Sequence, residues 1–401
     1  MKERSKLVPF AHALRRPDPA RVAEFADTAR RLQRERATSD DLVTNALRST
    51  PRASWLSLQE REDLRSSGAL ERLAHEVEKR RYVDPAASLA IAELATAIAE
   101  KLPADAYPPI IVAQLRAHAW KDRGQTLAYL GRYDEAFDAL TRADEQIEAF
   151  GTLAHDRAII AFVRAVAMQE TNRLEESLAI LSECRQVFSD HGDARRRLLC
   201  GMAEGSLFQR QRRWREARDT YLAALDVARE LNDAESIACM HNVVGQCLVE
   251  LNIFDDAETH LSEAVQRFTS LAQPLSVAKA ELARGRLLLR AAQHAKAIEH
   301  LIRIRDVFRR HDLIEEAGLC GLDVVEAMVA MSAFEPAESL VRRIIEEFTL
   351  ARLNTRAITA LGYLNEVIAA RKASRENVGA VREYILSLRT TPEREFAGLT
   401  A

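Results

Sequence analysis

The sequence is short of the residues that make tight turns, with 14 glycines and 11 prolines among 401 residues. A protein of many short strands needs a turn signal roughly every 8–12 residues, so a sandwich or barrel is excluded. Cysteine is scarce and unpatterned. The five thiols, Cys184, Cys200, Cys239, Cys247 and Cys320, include no CxxC pair, which excludes a disulfide framework and suits a reducing cytoplasm where thiols act as small core residues. No uncharged apolar run approaches the roughly 18 residues needed to cross a bilayer. The opening MKERSKLVPFAHALRR has no apolar stretch long enough for a signal peptide. A soluble, cytoplasmic chain without membrane contact is expected. An excess of one charge is missing too: Lys+Arg 57 stand against Asp+Glu 60, a net charge of -3. Nucleic-acid binding draws its affinity from basic excess, so nucleic acid is not an expected partner. The preference for arginine over lysine and the abundance of alanine match the composition of GC-rich bacterial genomes.

Motifs that carry chemistry are also lacking. There is no Walker loop, GxGxxG, GxSxG or HExxH; HEVEK at His75 lacks the second histidine. Cys239, His241 and Cys247 could be imagined as metal ligands, but Cys239 and Cys247 on one helix are about 12 Å apart along its axis. Packing is the expected role of all three. Acidic pairs such as Glu175-Glu176 and Asp255-Asp256 fit the first turns of helices, where negative charge complements the dipole. The arginine clusters Arg195-Arg196-Arg197 and RQRRWR (210–215) read as solvated helical faces. No catalytic residue, metal or cofactor is expected.

What the chain has in quantity is helix formers, with apolar residues three and four apart over long windows. It also repeats itself. Gly124 is followed twelve positions later by Ala136, and the pair returns as Ala165/Ser177, Gly205/Ala217, Gly245/Ala257, Gly285/Ala297 and Val325/Ala337, first after 41 residues and then every 40. Four residues after each second small site stand Leu140, Leu181, Tyr221, Leu261, Leu301 and Val341, and three before it Tyr133, Leu174, Trp214, Phe254, His294 and Phe334. Turn signals recur at the same period: Gly151, His191-Gly192, Asn232-Asp233, Gln273-Pro274, His311-Asp312 and Asn354. Each unit therefore reads as two antiparallel helices whose backbones approach closely because the facing side chains are tiny. A single hairpin cannot bury its apolar face, so the units must stack.

These residues, with the LGRYDEA turn (130–136) and the A-x3-[LY] spacing, resemble the tetratricopeptide repeat in a longer variant than its usual 34-residue unit. The resemblance is specific in units one, three, four and five, and degenerate in two and six, where Ala165 and Val325 replace glycine. It implies an all-α, right-handed superhelical solenoid of antiparallel helix pairs. The expected organisation is a flexible N-terminus (1–16), a helical N-terminal segment (17–68), a degenerate repeat (69–116), six repeats (117–354), a capping helix pair (355–388) and a flexible tail (389–401). Asp84-Pro85 supplies an N-cap and a first helical position. Asp18-Pro19 opens a stretch with Val22, Phe25, Ala29 and Leu32 on one face.

In such arrays the first helix of each unit lines a concave groove. The positions expected to face it are Gln125, Val166, Ser206, Gln246, Arg286 and Glu326, with Lys121, Phe162, Met202, Asn242, Leu282 and Leu322, and then Gln209, Arg210, Glu250, Leu289 and Arg290. The polar set Lys121, Gln125, Ser206, Gln209, Arg210, Asn242, Gln246, Arg286 and Arg290 is the candidate binding surface, because amides pair with peptide backbone and arginines with carboxylates. The lysine–asparagine carboxylate clamp known in the family is not expected, since Phe162 and Val163 occupy the comparable places. The resemblance implies a non-catalytic scaffold for a protein or peptide partner, or alternatively a peptide-responsive regulatory sensor.

Overall fold

The computed structural model describes residues 19–398 except 104, 106 and 390, without the side chains of 19–25. The expected N-terminus, 1–16, and the side chains of Val22 and Phe25 lie outside the described residues. Among the described residues there are seventeen α-helices, two 3-10 segments and no strand. The chain forms two compact units divided between Ala167 and Met168.

The first unit contains α1 (Pro19–Ser49), 3-10 segments at Arg52–Glu60 and Glu62–Leu64, α2 (Ser67–Arg80), α3 (Pro85–Glu100), α4 (Pro109–Tyr129) and α5 (Tyr133–Ile147), and ends within α6 (Ala154–Glu170). Asp84 caps α3 by accepting from Ala87 N, with Pro85 at the first helical position. The helix of the first repeat begins at Pro109, upstream of the expected boundary at 117. Two prolines, 108 and 109, open it, and Val112 and Ala113 already belong to the core. Helices α1 and α2 depart from the hairpin pattern. Glu35 accepts from the Ser67 hydroxyl at 2.6 Å, Arg36 pairs with Glu71 at 2.5 Å and Arg72 donates to Thr44 at 3.3 Å. The two helices thus run in the same direction, the 3-10 segments carrying the chain back. Ala29 is exposed while Leu32 packs on the core, so the inward face of α1 starts further along than its amphipathic pattern suggests.

The second unit is regular. From α7 (Leu174–Asp190) through α8 (Ala194–Arg210), α9 (Trp214–Glu230), α10 (Ala234–Glu250), α11 (Phe254–Ser270), α12 (Pro274–Arg290), α13 (His294–Arg310), α14 (Ile314–Ala330) and α15 (Phe334–Leu350), every helix is 17 residues long. The helices are joined by three-residue links, and α16 (Thr355–Ala369) and α17 (Arg375–Ser387) complete the unit. The recurring small residues sit where helices cross. A Cβ added to Gly205 would stand 2.3 Å from Tyr221, one on Gly245 2.6 Å from Leu261, and one on Gly285 2.3 Å from Leu301; in the first unit, Gly124 meets Leu140 at 2.8 Å. Ala217, Ala257, Ala297 and Ala337 are fully buried. Where Val325 replaces glycine, it shares a core cluster with Val341.

Every link in this run has its middle residue in the left-handed region: Gly192, Arg212, Asn232, Asn252, Ala272, Ala292, Asp312 and Ser332, with φ from 52 to 68°. The next amide closes the turn, as Arg213 N does on Phe208 O (2.8 Å) and Gln293 N on Leu288 O (2.9 Å). Alanine pays a steric penalty there that glycine does not. Ala272→Gly and Ala292→Gly should each raise stability by about 0.5–1 kcal/mol, less the entropy glycine adds to the unfolded chain. Urea unfolding of the single variants measures this.

The C-terminal stretch expected to be a flexible tail lacks regular structure at 391–398 but docks on the last helices. Asn354 donates to Pro392 O at 3.0 Å, Tyr384 donates to Arg394 O at 2.8 Å, and Phe396 packs 4.7 Å from the Tyr384 ring.

Candidate functional site

The first helices of successive pairs in the second unit, α8, α10, α12 and α14, present one side to two adjoining cavities. The smaller, about 310 Å³, is lined by Gln209, Trp214, Asn242, Gln246, Lys279, Leu282 and Arg286 among others. The larger, about 510 Å³, shares Gln209, Trp214 and Arg286 and extends past Arg210 and Arg290 to Arg375, Arg382 and Glu383 on α17. Six of the nine polar residues expected from sequence therefore line the two cavities. Ser206 is half-buried on α8 and lines neither. Lys121 and Gln125 belong to the first unit, where Lys121 pairs with Asp122 at 2.5 Å and Gln125 is half-buried. Leu322, expected to face the groove, is instead fully buried, because α17 packs over α14 and places Val378, Val381 and Ile385 in the same core cluster.

Most of the polar groups lining the cavities are already partnered, several by neighbours one unit away. Arg286 Nε donates to Asp323 at 2.8 Å, Arg290 pairs with Glu250, Gln209 donates to Gln246 at 3.3 Å, and Tyr221 donates to Gln209 at 3.1 Å. Arg210 donates to Gln169 O at 3.0 Å. Asp323, fully buried, also pairs with Arg382, which reaches Glu326 at 2.9 Å; Arg375 meets Glu326 at the same distance. Burial works to lower the Arg382 pKa, but Asp323 and Glu326 carry it above its ordinary value. At the rim, the exposed Arg212 and Glu383 pair at 2.5 Å, joining the α8–α9 link to α17. Sequence reasoning missed α17 as a wall of this site, and the seven-residue step from Arg375 to Arg382, which aligns both on one helical face, was the signal available.

Among the described residues, the buried Asn242 Oδ1 has no hydrogen-bond partner, and Lys279, exposed at the edge of the smaller cavity, makes no ion pair. With the unused donors of the Asn242 and Gln246 amides, this corner offers mostly hydrogen-bond donors beside the apolar surface of Trp214 and Leu282.

The residues considered for metal ligation are packed. Cys247 lies in the core, where burial pushes its thiol up to about 12. His241 is buried on α10 with its ring 4.9 Å from His260. Burial first, and then His260, hold the His241 pKa down to about 4 from an ordinary 6.5. The unfolded chain thus takes up this proton near pH 6.5 while the folded protein resists it to about pH 4. The stabilisation is complete above the higher value and is lost as pH falls through the window, about 2 kcal/mol by pH 5. His241→Leu should flatten that decline in urea unfolding at pH 7 and 5. The Arg195–Arg197 run is spent on Asp233, Asp193 and Glu230, so it forms no free basic patch.

Among the described residues, no helix is long and apolar enough to cross a membrane. The tetratricopeptide repeat family matches residues 198–270, the stretch that spans α8 to α11. No curated protein sequence matches the chain. Among solved structures, a signal transduction ATPase with numerous domains and a tetratricopeptide repeat sensor, from Pyrococcus horikoshii, is 14% identical with a TM-score of 0.59 over 90% of this chain. The match spans only 53% of that protein, about half its length. The apo form of RapI is 12% identical with a TM-score of 0.50, over 67% of this chain and 99% of its own. At such identities the likeness is one of fold.

Proposed function

We propose that this chain, a repeat protein of the tetratricopeptide type, is a non-catalytic scaffold that binds a protein or peptide segment in the groove of its second unit. The observation that carries the reading is the corner formed by Asn242, Gln246 and Lys279, where donors and a buried acceptor stand unpaired beside Trp214. An extended peptide supplies what that corner lacks: carbonyls for the amides, an N–H for Asn242 Oδ1, a carboxylate or carbonyl for Lys279, and apolar side chains for Trp214 and Leu282. The arginines expected to take carboxylates are held by Asp323 and Glu250, so their part is to shape the groove.

A second reading, a regulatory sensor, is favoured by one feature. The far wall of the larger cavity is α17, held through ion pairs. A ligand filling that cavity would compete with the Arg212–Glu383 pair and bias the position of the helix. The P. horikoshii protein is described as carrying a tetratricopeptide repeat sensor; the same role for this array is part of our proposal.

Affinity capture from cells tests the scaffold. Asn242→Ala with Lys279→Ala removes the unpaired groups without breaking an ion pair, and should deplete the specific partner at least tenfold while leaving the thermal midpoint within a few degrees. An unchanged set of captured proteins would place binding elsewhere.

A further inference from the structure

The first unit holds a cavity of a different character, about 330 Å³, where the C-terminal ends of α1 and α2 lie side by side. Its lining brings together Arg48 and Thr44 of α1, and Arg72, Glu76, Lys79 and Arg80 of α2, with Trp55 from the first 3-10 segment. Four cations thus face one carboxylate. That carboxylate is fully used: Glu76 is buried and pairs with both Arg72 (2.6 Å) and Arg80. Arg72 is further held by Asp40 and by the Thr44 hydroxyl. Arg48 and Lys79 line the same cavity, exposed, and make no ion pair among the described residues.

Cations at helix C-termini often serve the last carbonyls. Here several of those carbonyls are already served. Leu47 O accepts from the Trp55 indole at 3.0 Å, Val77 O from Ser88 at 2.8 Å and Arg81 N at 3.0 Å, and Arg80 O from Val83 N and Asp84 N. Arg48 and Lys79 donate to none of them among the described residues. The crowding is felt by Arg80, whose pKa is lowered by burial first and then by the charge of Arg72.

We propose that this cavity binds a phosphate monoester. Two unmatched cations suit a group carrying about −1.5 to −2 charge at neutral pH. A carboxylate would leave one of them uncompensated, and a phosphodiester likewise. The Arg48 guanidinium can take two phosphate oxygens through its fork, with Lys79 as a point charge opposite. The volume exceeds that of a phosphate alone, leaving room beside Thr44 and Trp55 for the group that carries it. The inference is independent of the groove in the second unit.

Calorimetric titration of the full chain at constant ionic strength tests it, with inorganic phosphate, a phosphoserine peptide, adenosine monophosphate and a short oligonucleotide as probes. Saturable binding of the monoesters is expected, at least tenfold weaker in Arg48→Gln with Lys79→Gln and unchanged in Lys296→Gln with Arg303→Gln, which removes the same charge elsewhere. The peptide and the nucleotide show which source is preferred. Circular dichroism and a thermal melt confirm that the variant is folded. Absence of saturable binding, equal loss in both double variants, or equal affinity for the phosphodiester overturns the proposal.

Discussion

Gly205→Val should cost about 3 kcal/mol of stability, near the upper end of ordinary overpacking penalties. At this glycine even a Cβ would stand 2.3 Å from the Tyr221 ring. That ring is buried and cannot swing away, because its hydroxyl is bound to Gln209. The crossing of α8 and α9 must open to admit the larger side chain. Because Gln209 in turn donates to Gln246, the disturbance passes directly into the cavity. Gly362→Ala is the internal comparison. It lies in α16 with nothing within 4 Å of an added Cβ, and relief of glycine's poor helix propensity should stabilise by about 0.5–1 kcal/mol. Opposite signs for two glycine substitutions in one unit are what separates close helix contact from a mere preference for small residues. Urea unfolding of the two variants measures both.

The second large effect is expected at Arg382. Its guanidinium serves Asp323, which is fully buried, and Glu326, which is nearly so. Removing one partner of a buried pair leaves an uncompensated charge, so Arg382→Met should cost about 3–5 kcal/mol. Arg286 still holds one oxygen of Asp323 and Arg375 still reaches Glu326, which favours the lower half of that range. The loss should be local. Amide exchange in α17 should accelerate far more than exchange in α9 or α10, because α17 is attached through α14 and α16. By contrast Glu383→Ala, at the exposed rim pair with Arg212, should change stability by less than about 1 kcal/mol.

The helix pairs were legible in the sequence because their cause is steric and periodic. Only small residues allow the close crossings, so Gly205, Gly245 and Gly285 recur in register with Tyr221, Leu261 and Leu301. The alternate links were harder to see. Backbone geometry puts Arg212 and Ala292 in the left-handed region, but those residue types carry no turn signal. Counting along the repeat brings Asn242, Gln246, Arg286 and Gln209 to one side, and all four line the smaller cavity, since position within a helix fixes which side a residue faces. Counting did not reveal their partners. Arg286 is spent on Asp323 and Arg290 on Glu250, each about one unit away, and a charge's availability depends on such pairings. Leu322 was misplaced for a related reason: α17, expected as part of the capping pair, folds over α14, and its sequence has lost the small-residue spacing that would have shown which helix it packs against. The parallel run of α1 and α2 was equally hidden, because it depends on the 3-10 return between them.

The placement of binding in the second unit is tested most directly by photo-cross-linking in cells. With p-benzoylphenylalanine in place of Leu282, inside the smaller cavity, a discrete adduct with a partner should form and should vanish when Asn242 and Lys279 are changed to alanine. The same probe in place of Tyr363, exposed on α16, should give none. Adducts of equal yield at both positions, or an adduct at 282 that survives the double substitution, would contradict the account.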